Sequence, residues 1–394
     1  MSSSKTLTLI ILSLLALSSI YFIIVLQFQN GTMLILDSLT SETPQVLPPG
    51  PADSLIPLRQ VYTKVWPLDM QVNRMTPFFW PLVSGILPEL SLFGVYMAGQ
   101  LVASETLIIV EGERRGNNGR VISYSTVWGL TWQNLPWGLV QPVYSFVHLL
   151  TASSSTPTIT SVTGYTNAIS SIPLAITTGY ILPSVLMCIP SPQYISHQTH
   201  QALVFTWQLF PLWIGLAHAF FIKVSSTNAK NDPIKSLRNT YIFALLIACL
   251  SHLSIAGAVL ALLYAPAPVQ SYLQDILPPS FLPSNPALVF TPFPPHIPPF
   301  SKEQVSELSV GVLSLLQYDT IFAGFSSLLW ASHLLHSCRR HHNVQSPTLG
   351  AVLLTLLFGP CGAALATMWK RDEEVFATAV RVPGKTVGNS KKDI

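Results

Sequence analysis

Residues 309–337 read SVGVLSLLQYDTIFAGFSSLLWASHLLHS: 29 residues without lysine or arginine and with one acid, Asp319. About 20 mostly apolar residues in a helix cross a bilayer, so this run is long enough to span. Seven further stretches share its character, and the expected spans are 6–27, 79–110, 121–150, 171–189, 200–222, 239–264, 309–337 and 346–369. Of the 394 residues, 49% are apolar and 9% charged. A soluble domain carries about 25% charged residues, which argues against a freely soluble enzyme. The net charge is only +3, and no basic block is present to grip nucleic acid. The fold class expected is an all-α integral membrane protein, about eight transmembrane helices in one bundle with Pro-rich loops.

The chain divides accordingly. Residues 1–28 form an N-terminal membrane anchor helix, retained because its apolar run exceeds the roughly 7–15 residues of a cleaved signal. A loop or cap follows at 29–78, a transmembrane catalytic bundle at 79–370, and a cytosolic tail at 371–394. Within the bundle, 265–308 is Pro-rich, and prolines at the density of 277–299 forbid regular helix and sheet. That loop is either a solvated linker or a cap over the mouth of the bundle. The cysteines Cys188, Cys249, Cys338 and Cys361 form no CxxC and are expected to be reduced. Eight crossings put both termini on one side, which then carries 11 Lys/Arg against 9 on the other, a small positive-inside bias. Lys391-Lys392-Asp393-Ile394 resembles the dilysine retrieval signal of endoplasmic-reticulum membrane proteins, which is read from the cytosol. Localisation in that membrane with cytosolic termini follows.

An ionisable group inside a bilayer is costly and therefore a functional candidate. Every Lys and Arg lies at span edges or outside, whereas Glu89, Glu105 and Asp319 lie within spans and Glu111 closes one. An acid buried without a cation favours its neutral form and can serve as a Brønsted acid in an apolar pocket. Helical spacing places Glu89, Phe93, Tyr96 and Gln100 on one face, with Glu105 near the opposite face, and Asp319, Phe322, Ser326, Trp330 and His333 on another. Glu89 and Asp319 each stand ten residues into their expected spans, at about 15 Å, the bilayer middle. The bland alternative is a carboxyl hydrogen-bonded to a neighbouring helix or, for Glu111, an ion pair with Arg114 or Arg115.

The third expected span adds Trp132, Gln133, Asn134 and Trp137, and the fifth adds Trp207 and Gln208. Aromatic faces can stabilise a cation passing through a cavity or simply fill a core. No acid-assisted metal-ligand pair stands on one span; His333 and His336 are spaced i, i+3 without an acidic helper.

The segment EGERRGNNGR (111–120), leading into the Trp/Gln/Asn-rich third span, resembles integral membrane terpene cyclases of fungal meroterpenoid pathways, the macrophorin, ascochlorin and ascofuranone type. TPFFWPLVSGILPE (76–89), Trp207-Gln208 with Pro211, and Gln317-Tyr318-Asp319-Thr320 followed by Trp330-Ala331 carry the rest, together covering most of 65–370. The resemblance implies cyclisation of a farnesylated aromatic or quinone substrate, in this reading as its terminal epoxide, by protonation and carbocation closure without metal or other cofactor. Asp319 is then the first choice as proton donor and Glu89 the second, sharing its proton, with Glu105 and Glu111 in reserve. Tyr96, Trp132, Trp137, Tyr318 and Trp330 would line the cavity, and Gln100, Gln133 and Asn134 would orient the acid or bind ring oxygens. The partners are the prenylated polyketide substrate, the lipid bilayer and other enzymes of the same pathway. A proton-coupled transporter of a hydrophobic metabolite is the rival reading, and a non-enzymatic scaffold the third.

Overall fold

The computed structural model describes residues 3–41, 45–48, 56–151, 157–225, 232–295, 302–338 and 347–381. Regular structure among them is helical, apart from isolated bridges between Val46 and Pro57 and between Arg114 and Gly164. The chain opens with α1, Ser3–Gln29, which contains a π-helical turn at Ile20–Val25. There follow α2 Thr32–Ser41, α3 Trp66–Ser84, α4 Pro88–Glu113, α5 Ser125–Asn134 and α6 Trp137–Thr151. Next come α7 Thr166–Met187, α8 His197–Gln208, α9 Phe210–Val224 and α10 Pro233–Tyr264. The last three are α11 Ala267–Ile276, α12 Leu308–Cys338 and α13 Pro347–Arg381.

Six helices among the described residues are long and apolar enough to cross a membrane: α1, α4, α7, α10, α12 and the 349–378 part of α13. The pair α8–α9, bent by 65°, makes a seventh if taken as one span. The third expected span, 121–150, is two shorter helices. Pro136 lacks an N–H and drives the residue before it out of the helical region, and Leu135 is extended, with φ −123° and ψ 146°. The expected 79–110 span also divides. α3 ends at Ser84 on Gly85, whose φ of 71° suits a residue without a Cβ, and α4 starts afresh at Pro88.

α4 and α12 form the centre and are buried on most sides. α12 packs on α13, α6, α4 and α1. Leu14 and Leu17 on α1, Leu250 and Leu260 on α10, and Leu353 and Leu356 on α13 point outward. Such a continuous apolar exterior needs a cover, and with the long apolar helices it marks a membrane protein.

The connections are more ordered than their proline content implied. The 29–78 stretch contains α2 and the start of α3, and the 265–308 stretch contains α11, whose proline sits in its first turn where no N–H is needed. Beyond α11 the chain packs on the bundle. Gln317 Nε2 donates to the carbonyls of Leu288 (2.7 Å) and Val289 (2.9 Å). α13 runs past residue 371, and Arg371 and Asp372 are buried, so the expected tail boundary falls inside a helix. The dilysine-like Lys391-Lys392-Asp393-Ile394 lies outside the described residues. None of the four cysteines is in a disulfide among the described residues.

Candidate active site

The interruption at Leu135–Pro136 leaves the start of α6 with backbone N–H groups to satisfy. The N–H groups of Leu139 and Val140 return to the Pro136 carbonyl, each at 3.0 Å. That of Gly138 donates to Asp319 Oδ1 on α12 at 2.7 Å. The approach is close: a Cβ on Gly138 would stand 2.6 Å from the Asp319 carbonyl oxygen. Asp319 therefore caps a helix that begins in the interior of the protein. Its carboxyl faces the positive end of the α6 dipole.

Asp319 also lines a cavity of about 530 Å³, within the roughly 300–1,000 Å³ of ordinary ligand pockets. Trp132, Gln133, Asn134 and Trp137 line it too, joined by Phe78 and Phe79 of α3, Met97 and Leu101 of α4, Trp207 and Phe210. The Trp132 and Trp137 rings lie 5.9 Å apart, and Phe79 meets Trp207 edge to face at 5.0 Å. Both indole N–H groups of Trp132 and Trp137 are buried without a protein partner. Asp37 and Arg74, a half-open pair 3.5 Å apart, also border the cavity. A second apolar cavity of about 900 Å³ adjoins, sharing Met97 and Trp207 as wall residues.

The structure thus gathers Asp319, Trp132, Gln133, Asn134 and Trp137 around one space, and puts the remaining sequence candidates elsewhere. Glu89 is the second residue of α4, not ten residues deep, because Gly85–Leu87 cut the expected span. Its Oε1 accepts Ser284 Oγ–H (3.0 Å) and Asn285 N–H (2.8 Å), fastening the Pro-rich segment to α4. Glu105 lines a separate cavity of about 330 Å³ with Glu113, Thr126 and His218, and its Oε1 is buried without a protein partner. Glu111 is ion-paired. It meets Arg114 at 2.7 Å, His148 Nε2 at 3.1 Å and Arg371 at 3.5 Å, while Arg114 reaches Asp372 at 2.8 Å. Trp330 Nε1–H donates to His148 Nδ1 at 3.1 Å, which leaves His148 Nε2 to carry the proton toward Glu111. Trp330 is fully buried in that contact.

Tyr96, Gln100 and Tyr318 lie outside the cavity lining. Tyr96 packs on Phe93 and Phe290. Gln100 spans the kink of α13 at Gly359 (φ 71°), donating to the Phe358 carbonyl (3.0 Å) and accepting the Cys361 N–H (3.0 Å). Tyr318 donates to the Phe293 carbonyl at 2.9 Å. Sequence reading gave no cavity role to Phe78, Phe79 or Phe210; for the first two the signal available was the aromatic run 78–80. Among the described residues, no group of three or more His, Cys, Asp or Glu could hold a metal ion.

The CtvD domain family model matches residues 5–376. Terpene cyclase ascI of Acremonium egyptiacum is 28% identical over 336 residues, covering 82% of this chain and 82% of its own. Terpene cyclase penA of Penicillium crustosum is 27% identical over 91% of this chain and 94% of its own. Terpene cyclase janA of Penicillium janthinellum is 29% identical over 93% and 94%. No solved structure matches.

Proposed function

This chain belongs to the CtvD-domain family, and we propose that it cyclises a farnesylated aromatic or quinone substrate, as its terminal epoxide, with Asp319 as the proton donor. It is an enzyme of the terpene cyclase type. The observation that carries the finer reading is the juxtaposition of Asp319, the N-terminus of α6 and an aromatic cavity.

Each element has a task. The Gly138 N–H fixes one carboxyl oxygen, and the other can hold the proton. On transfer, the proton leaves Asp319 for the epoxide oxygen and the C–O bond opens, leaving a carboxylate on Asp319 and a cation on carbon. The dipole of α6 stabilises that carboxylate without reorganisation, as a preorganised site does for charge that develops in the transition state. The faces of Trp132, Trp137, Trp207, Phe78 and Phe79 meet the cation as the chain's alkenes close on it. The free indole N–H groups and the amides of Gln133 and Asn134 can orient ring oxygens. Loss of a proton from carbon ends the reaction, so substrate and product are isomers. Protonation supplies the ionisation, and the scheme calls on no metal.

In this reading the enzyme sits in the endoplasmic reticulum with cytosolic termini, a disposition compatible with six crossings, and receives its substrate from other enzymes of the pathway. The test uses yeast microsomes containing the full chain, fed a farnesylated phenol or its terminal epoxide in the presence of EDTA. A product of unchanged mass and new retention time from the epoxide supports the proposal. Conversion of the bare alkene would move the trigger to alkene protonation. Conversion of neither would favour a carrier of a hydrophobic metabolite.

A further inference from the structure

Past Gly138, α6 presents Gln141, Ser145 and His148 on the same face, at i+3, i+7 and i+10. α4 shows an equivalent face from Leu101 through Ser104 to Glu111, and α12 one from Asp319 to Trp330, with Ser327 set about 80° to its side. The ends of the three faces are tied together: Gly138 to Asp319 at one end, and His148 to both Glu111 and Trp330 at the other. The interval is about 15 Å along each helix at 1.5 Å per residue, so the three faces run side by side in one direction.

The polar groups between these ties are buried and unpaired, as are Gln27 Nε2, Tyr144 Oη and Ser314 Oγ elsewhere in the core. Gln141, Ser145, Ser104 and Ser327 are each 0% exposed. Both amide atoms of Gln141 and the three serine hydroxyls have no protein partner. Buried polar groups in native interiors are paired, and where protein does not pair them, ordered water does. Gln141 stands one helical turn beyond Gly138, whose N–H meets Asp319, so its unpaired amide lies on the face that leads away from the acid.

We infer that internal water threads these three faces, and that Gln141 holds the water molecule that hydrogen-bonds Asp319. Gln141 is then a positioning residue for the proton donor, and the inference rests on the role proposed for Asp319. Glutamine suits the place because its amide both donates and accepts, so it can orient the same water toward a carboxylic acid or toward a carboxylate. The far end is closed by the ion pairs of Glu111 and Asp372 with Arg114 and Arg371. A proton is therefore exchanged locally. Asp319 gives its proton to the substrate, the closing step releases one proton from carbon to water, and water beside Gln141 returns one to the Asp319 carboxylate. The balance is an isomerisation.

The test compares Gln141→Met, which keeps the volume and removes the amide, with Gln141→Asn, using purified full-length protein. With the farnesylated phenol epoxide, Gln141→Met should lower kcat roughly 10- to 100-fold, the scale of misplacing a reacting group by about an ångström, with KM unchanged and Gln141→Asn intermediate. In parallel, the infrared band of the Asp319 carboxyl, assigned by its loss in Asp319→Asn, should shift in Gln141→Met without any substrate. An unmoved band together with unchanged kcat overturns the inference and leaves Gln141 a packing residue. A shifted band in a protein that converts no substrate upholds the water site and refutes the cyclisation chemistry instead. If Gln141→Met does not fold, Ser145→Ala and Gln141→Asn are read by the same band, with the same two outcomes.

Discussion

Replacing Asp319 by asparagine separates its two duties. Asn Oδ1 can still accept the Gly138 N–H that now meets Asp319 at 2.7 Å, so the start of α6 keeps its partner. What disappears is the proton. General acid catalysis contributes about 10²- to 10⁴-fold, equivalent to about 2.7–5.4 kcal/mol of barrier at 1.36 kcal/mol per tenfold. Asp319→Leu removes the proton and also the acceptor. The Gly138 N–H is then orphaned in the interior, at a further cost of about 1–3 kcal/mol in stability. The assay pairs turnover of the epoxide in microsomes with thermal unfolding of the purified variants in detergent. Asp319→Asn should lose at least about two orders of magnitude in rate with an unchanged melting temperature, and Asp319→Leu should lose both. An asparagine variant that cyclises at the wild-type rate refutes the proton-donor role. Equal stability of the asparagine and leucine variants refutes the capping role.

Arg114→Met leaves Glu111 and Asp372 short of their shared buried cation and should destabilise the protein by about 3–5 kcal/mol; the double variant with Glu111→Gln should cost less than the sum of the singles, measured as a double-mutant cycle on unfolding. Glu89→Ala should speed hydrogen exchange at the Asn285 amide, whose acceptor it removes, while turnover stays within the same order of magnitude; loss of turnover without faster exchange would return Glu89 to the chemistry. Asp69, at the start of α3, accepts the backbone N–H groups of Thr63, Tyr62 and Lys64 and the Thr63 hydroxyl. The Thr63 N–H foremost among them holds its carboxyl below the usual carboxylate range. A carboxyl depressed in the folded state stabilises above its unfolded pKa and loses that contribution as pH falls through the folded value. Wild type and Asp69→Asn should therefore differ in melting temperature at neutral pH and converge in acid, and a gap that stays constant with pH would contradict this.

The helices that span were legible because bilayer thickness imposes their length and an apolar exterior imposes their composition. What sequence periodicity could not deliver were the breaks. Treating 121–150 as one straight helix put Gln133 and Trp137 on one continuous axis, but Pro136 resets that axis between them. The same assumption carried Glu89 to mid-membrane, when Gly85 and Pro88 begin a new helix beside it. Asp372 went unnoticed because the apolar run ends before it, although α13 continues and buries it against Arg114. Glu111 was recognised as a buried acid, but its partner Arg371 lies 260 positions away in the sequence, and local spacing carries no information about such a pair.

The break at Pro136 is also what makes Asp319 different from the other buried acids. A continuous helix would satisfy its own amides and offer no positive end inside the protein. By stopping α5 at the exposed Asn134–Leu135 and restarting α6 at the buried Trp137, the chain presents a Gly138 N–H that a polar side chain from a neighbouring helix can meet, and irregular backbone in a membrane protein is tolerated where it is buried in protein or lines a cavity. Asp319 meets one of them and borders the cavity at the same time. Glu111 has two arginines and a histidine to hold its charge, and Glu89 is occupied by a loop. Glu105 lines a cavity of its own, apart from the tryptophans at the helix break. Of the four acids singled out by their depth, Asp319 alone combines a fixed dipole and an aromatic enclosure. An acid asked to release a proton to an apolar substrate, and to hold the resulting charge until the proton returns, needs that combination.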